Sequence, residues 1–212
     1  MKSRLPKFAK LTHRQRRVRY AVRKAAWAAV VVLALGLLVY GDRRGLFGFA
    51  PKPDYQKYHL QTFQVCRVVD GDTIDLDIPD GGYSATRVRL WGVDTPETVD
   101  PSKPVQHFGP QASDFVKRAA LDQTVRVELE ATSTRDRHGR LLAYVFLPDG
   151  RMLNSVLVAE GYGYADPRYE HRYKASFERL QRQAMEARAG LWKDVRNEDL
   201  PYYYRESLKL PQ

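Results

Sequence analysis

The 212-residue chain is long enough for one ordinary domain with appendages, and its single cysteine, Cys66, excludes an intramolecular disulfide and any multi-cysteine zinc site. Its formal charge of +10 suggests a polyanion binder only until the charge is located: residues 1–50 carry twelve Lys and Arg against the single Asp42, and residues 51–212 carry 23 basic against 24 acidic side chains. A globally basic field is thereby excluded for the longer C-terminal part, where any anion recognition has to come from a local patch.

Residues 25–40 form an uncharged apolar run preceded by ten basic residues and no acidic one. Its sixteen positions rise about 24 Å as a helix, short of a roughly 30 Å hydrocarbon layer. Arg23 and Lys24 can snorkel, and Trp27 and Tyr40 lie near the two ends, where interfacial aromatics belong. We expect a transmembrane helix over residues 25–41 and a basic cytoplasmic segment over 1–24. The positive-inside rule then puts the remainder on the extracytoplasmic side. The alternatives are a cleaved secretory signal and an Arg-rich mitochondrial presequence followed by an inner-membrane anchor. A cleaved signal calls for a short basic region and a small-residue cleavage site, whereas this run follows two dozen residues of basic segment and ends in Tyr40-Gly41-Asp42-Arg43-Arg44. Residues 42–58, with Pro51 and Pro53, read as a tether.

From His59 the pattern changes to short alternating runs. Strands are predicted over residues 63–69, 73–78 and 86–93, the second and third joined by the turn Pro79-Asp80-Gly81-Gly82. Alternation puts Arg89 off the face that carries Val88 and Leu90. Gly109-Pro110 opens a helix whose apolar face is Ala112, Phe115, Val116 and Ala119. Strands follow over 124–130 and 140–147, then a short helix over 152–160 and a long one over 169–189, with Phe177, Leu180 and Ala184 at helical steps. This order fits an α+β domain over 59–193. The tail over 194–212, with Tyr202-Tyr203-Tyr204, carries no readable signal.

The chemistry gathers in Asp70-Gly71-Asp72-Thr73, in Arg89 followed by Asp94-Thr95-Pro96-Glu97, and in Asp136 followed by Gly139-Arg140. Carboxylates closing strands at turns suit a hard cation with water in its remaining positions, Ca2+ or a similar ion. Planar guanidinium groups suit phosphate oxygens. Singly, each has a structural explanation: Asp-Gly-Asp is a common turn sequence, and an arginine on a strand is often only a solvated side chain. Their conjunction in this order is what carries the reading.

These motifs resemble the staphylococcal (thermonuclease) nuclease family, and the likeness runs from about residue 65 to about residue 192. The resemblance implies an OB-fold five-stranded β-barrel with packed helices, here preceded by one transmembrane helix. It implies Asp72, Asp94 and the backbone carbonyl of Thr95 as Ca2+ ligands, with Asp70 supporting them from behind. Glu97 becomes the general base or the group that orients the attacking water, and Arg89 and Arg140 the clamp on the scissile phosphate. His138 and the tyrosines Tyr162 and Tyr164 are weaker candidates for contact with the nucleotide. The implied activity is hydrolysis of DNA and RNA with little sequence preference, leaving 3′-phosphate ends. The partners are nucleic acid as substrate and the membrane through residues 25–41, with no obligate protein partner. The alternative is a catalytically weak member that keeps the barrel and binds nucleic acid or protein at the membrane.

Overall fold

The computed structural model describes residues 13–43, 53–98, 105–130, 133–205, 208 and 210, and divides into two compact units, residues 1–50 and 51–212. Within the first, α1 (His13–Arg43) is a single helix of 31 residues, about 46 Å long. It starts well before the apolar run because Arg, Gln, Ala and Lys in residues 13–24 are good helix formers with no Gly or Pro among them. Its span His13–Tyr40 is long and apolar enough to cross a membrane, as a signal sequence would also be. The first twelve residues of the expected basic segment and residues 44–52 of the expected tether lie outside the described residues.

The second unit begins earlier than its sequence suggests. Residues read as the end of a tether form α2 (Pro53–Tyr58), and Tyr58 is completely buried in the core, its hydroxyl 3.1 Å from Thr86 Oγ1. Five strands then close a barrel: β1 (Thr62–Asp70), β2 (Thr73–Leu76), β3 (Thr86–Leu90), β5 (Thr124–Glu128) and β6 (Leu141–Phe146), in the order β1-β2-β3-β6-β5. All neighbours are antiparallel except β3 and β6, which run parallel. The core is filled by the alternate residues Val65, Ile74, Leu76, Val88, Leu90, Val125, Val127, Leu141 and Val145. This is the five-stranded OB barrel with helices that the family resemblance implies; the strand pattern alone predicts only an α+β domain.

The strand expected over 86–93 is broken at Trp91-Gly92. Gly92 has φ +76, and a Cβ there would stand 2.4 Å from the His171 ring, so only glycine fits both the turn and its neighbour. Beyond the turn, β4 (Val93–Asp94) leaves the barrel and pairs with β7 (Tyr164–Ala165). Asn154, in α4 (Leu153–Ala159), holds this break from inside. Fully buried, it accepts a hydrogen bond from Val145 N at 3.0 Å and donates to the carbonyls of Trp91 at 3.0 Å and Ala143 at 3.2 Å. One side of the turn thus carries Arg89 and the other Asp94.

The remaining helices, α3 (Gly109–Ala120) and α5 (Lys174–Glu186), pack on the barrel through Ala112, Val116 and Phe177. The last helix is shorter than the predicted 169–189: residues 169–173 are not helical, and at its end Arg188 and Gly190 take positive φ. A second, smaller core of Tyr164, Ala184, Met185, Leu191, Trp192, Leu200 and Tyr204 ties the C-terminal segment to the domain.

Candidate active site

A register shift between Val68 and Asp70 ends β1 and tips the chain into the turn that carries both aspartates. Asp70 Oδ1 accepts from Gly71 N at 2.8 Å and from Thr98 Oγ1 at 2.7 Å. Asp72 Oδ2 accepts from Thr95 N at 3.0 Å and Thr95 Oγ1 at 3.2 Å, while its Oδ1 accepts from Thr73 Oγ1 at 2.9 Å. The turn and the 94–98 loop therefore hold one another. Gly71 makes the fit possible, since a Cβ there would lie 2.7 Å from Thr95 Oγ1. Burial pushes the Asp70 carboxyl up to about 6, helped by the charges of Asp72 and Glu97 and opposed by the hydrogen bonds from Thr98 and Gly71.

Arg89, on β3, stands opposite Thr73 of β2 and Leu142 of β6. Its guanidinium bridges the two strand-end carboxylates: Nη2 donates to Asp94 Oδ1 at 2.6 Å, and Nη1 touches Asp72 Oδ2. The Nη1 contact lacks hydrogen-bond geometry, so that buried donor still has capacity for an acceptor. Burial works against the charged guanidinium, but Asp72 and Asp94 outweigh it and hold the group above its ordinary value. Arg89 is a permanent cation between two anions.

Arg140 reaches the same region from the other side. Its backbone N–H donates to Asp136 Oδ1 at 3.0 Å and its Nε to Asp136 Oδ2 at 2.7 Å, which leaves the Nη end directed to Thr73 Oγ1 at 3.4 Å. The loop that carries it is pinned by Arg135, which pairs with Asp54 of α2 at 2.7 Å and with Asp80 at 2.6 Å, and donates to the Gly139 carbonyl at 2.8 Å. Glu97 follows Pro96, and its backbone N–H is fixed by Gln106 Oε1 at 2.9 Å.

All these groups line one cavity of about 710 Å3: Asp70, Asp72, Arg89, Asp94, Thr95, Glu97, His138 and Arg140 meet there, so residues from four separate stretches converge. Tyr162 and Tyr164 do not line it. The Tyr162 ring stacks on Phe115 at 4.3 Å, and Tyr164 is buried edge-on against Trp192 at 5.4 Å, so both aromatic rings serve packing. Tyr164 contributes to the site through its backbone, as the pairing partner of Asp94. The half-exposed aromatic in the cavity is instead Tyr169, tilted against Trp91 at 5.1 Å.

Two further residues went unseen in the sequence. Asp94 Oδ2, the oxygen turned away from Arg89, accepts from the Tyr203 hydroxyl at 2.6 Å and lies 3.3 Å from Arg168 Nη2. Arg168 is itself held by Asp166 at 2.7 Å. No periodicity or motif marks these contacts, because Tyr203 is 109 residues from Asp94 in the chain.

Among the described residues no group of three or more His, Cys, Asp or Glu side chains is arranged to hold a metal. What the cavity offers is two carboxylates, Asp72 and Asp94, that already meet one cationic group, together with the adjacent Thr95 carbonyl. That all-oxygen set fits a hard cation that keeps several waters, and does not fit zinc.

The family model for staphylococcal nuclease homologues matches residues 87–194, half of the chain. The chain is 44% identical over 133 residues to the thermonuclease of Staphylococcus hyicus, covering 62% of this chain and 76% of that protein. To the thermonuclease of Staphylococcus intermedius it is 42% identical over 175 residues, 80% of this chain and 98% of that one. A more distant relative is the SPbeta prophage-derived endonuclease YokF of Bacillus subtilis (strain 168), 34% identical over 128 residues, 59% of this chain and 42% of that protein. The chain belongs to the staphylococcal nuclease homologue family.

Proposed function

We propose that the chain is a membrane-anchored, Ca2+-dependent nuclease that cleaves DNA and RNA with little sequence preference and leaves 3′-phosphate ends. Membership of a nuclease family with thermonucleases among its relatives makes it a hydrolase of phosphodiester bonds. The observation that supports the finer reading best is the convergence of Arg89, Arg140, Glu97 and the Asp72–Asp94 pair on one cavity.

Asp72, Asp94 and the Thr95 carbonyl would hold the cation, which when bound neutralises charge growing on the phosphate. Arg140, its guanidinium oriented by Asp136, and Arg89, its guanidinium set between Asp72 and Asp94, grip non-bridging oxygens from two sides. Both bind the transition state more tightly than the substrate, because negative charge on those oxygens increases as water attacks. Glu97, on a loop fixed by Gln106 and stiffened by Pro96, orients the attacking water and takes its proton. Asp70, behind Asp72, holds the loop through Thr98.

The apolar helix α1 supports anchoring, with the N-terminus cytoplasmic and the barrel on the extracytoplasmic side. A sparse carboxylate site suits that location, since it binds Ca2+ weakly and fills only where calcium is abundant. The test is digestion of plasmid DNA and single-stranded RNA by the detergent-solubilised full chain, with Ca2+ or with chelator. Cleavage of both only in Ca2+ is expected. Binding without cleavage under every divalent ion would make the protein a nucleic-acid-binding member instead.

A further inference from the structure

The contact between the C-terminal segment and Asp94 lies beyond the residues that the family model matches, which end at 194, nine residues before Tyr203. The segment is nonetheless firmly built in. Leu200 is fully buried and Tyr204 nearly so; the Tyr204 hydroxyl donates to the Ala165 carbonyl on β7, the strand that pairs with β4. Arg205 Nε donates to the Leu200 carbonyl at 2.9 Å and closes the turn between them. Between these anchors, Tyr203 lies with its ring 4.3 Å from the Arg168 guanidinium and its hydroxyl 2.6 Å from Asp94 Oδ2.

The consequence is a division of labour between the two oxygens of one carboxylate. Oδ1 accepts from Arg89; Oδ2 is held by Tyr203 of the C-terminal segment and by Arg168. Asp94 stands on a strand of only two residues, and its carboxylate is held from opposite sides by Arg89 at Oδ1 and by Tyr203 with Arg168 at Oδ2. We propose that Tyr203 is a positioning residue of the catalytic centre: by holding Oδ2 it locks the Asp94 carboxylate in the orientation that sets Oδ1 against Arg89, making the C-terminal segment a working part of the site rather than a trailing end. This rests on the reading of Asp94 as a cation ligand. A fixed carboxylate loses less freedom when it takes up a cation, so the predicted gain is in affinity for the ion.

The test is Tyr203→Phe, which removes only the hydroxyl and keeps the ring against Arg168. Ca2+ binding to the full chain in detergent is measured by titration calorimetry, and melting is followed in chelator. A dissociation constant for Ca2+ raised three- to tenfold, with a melting temperature within a few degrees of the parent protein, supports the proposal. Unchanged Ca2+ affinity in the variant, whether or not it melts earlier, would overturn it and leave only a structural role. If the parent protein itself binds no Ca2+ and cleaves nothing, the nuclease reading fails, and this proposal with it.

Discussion

In the proposed reading Arg140 and Arg89 bear the recognition of phosphate, because the unit that contains them has no excess positive charge to share the work: residues 51–212 hold 23 basic and 24 acidic side chains. Removing one preorganised donor from a site of developing charge costs about 2.7 to 4 kcal/mol of transition-state stabilisation. For Arg140→Ala we expect kcat to fall by about 100- to 1,000-fold with the fold intact, and a loss below tenfold in steady-state kinetics would refute the clamp. Asp70 makes a different prediction. Its folded-state pKa, about 6, lies above the ordinary carboxylate value, so the folded protein binds this proton more tightly than the unfolded chain. Stability from the protonated form is therefore complete below about pH 4 and is lost as pH rises through about 6. Asp70→Asn removes the charge and keeps an oxygen for Gly71 and Thr98. In chelator it should be more stable than the parent at pH 8 by about 1 kcal/mol, roughly 2–4 °C in melting temperature, with the gap closing towards pH 4. A gap that does not narrow over that range would contradict the assignment.

At the level of elements, what was legible followed from locality. The alternation in β5 and β6, the turns with Gly81 and Gly150, and the Pro start of α3 are short-range signals, and the structure follows them to within a residue or two. The positions of the two carboxylates were equally local, since Asp72 sits in the turn before β2 and Asp94 directly follows the Trp91-Gly92 turn. Three features depended on distant partners and could not be read. The Trp91-Gly92 break is fixed by Asn154, 63 residues away; Tyr164 turns its ring into the second core and offers Asp94 only backbone; and Tyr203 reaches Asp94 from the tail. Residues 53–58, read as the end of a tether, turned out to be helix for the same reason. Pro51 and Pro53 signal a linker, but Tyr58 finds its pocket only once Thr86 is in place. Tyr58→Ala should accordingly cost about 3–5 kcal/mol in chemical denaturation, as for other large aromatics removed from a core. A pure tether would show no change. Asn154→Ala should cost about 2–3 kcal/mol by leaving buried backbone groups at the Trp91 turn unpaired, and should lower activity because both Arg89 and Asp94 are set by that turn.

For the whole molecule, the strong positive charge is a property of the N-terminal segment and says more about topology than about substrate. We expect the protein to remain in the membrane fraction after carbonate extraction at its full mass; recovery as a smaller soluble species would mean that the segment is cleaved. Whether Asp72 and Asp94 hold the ion on which cleavage depends is decided by the single-turnover cleavage rate of a single-stranded oligonucleotide across a Ca2+ titration, for the parent chain and for Asp94→Asn. Expected are no cleavage in chelator, a saturable rise with Ca2+ in the parent, and for Asp94→Asn a midpoint displaced to higher Ca2+ with a lower plateau. Cleavage independent of Ca2+, or an unmoved midpoint in Asp94→Asn, would contradict that role of Asp72 and Asp94.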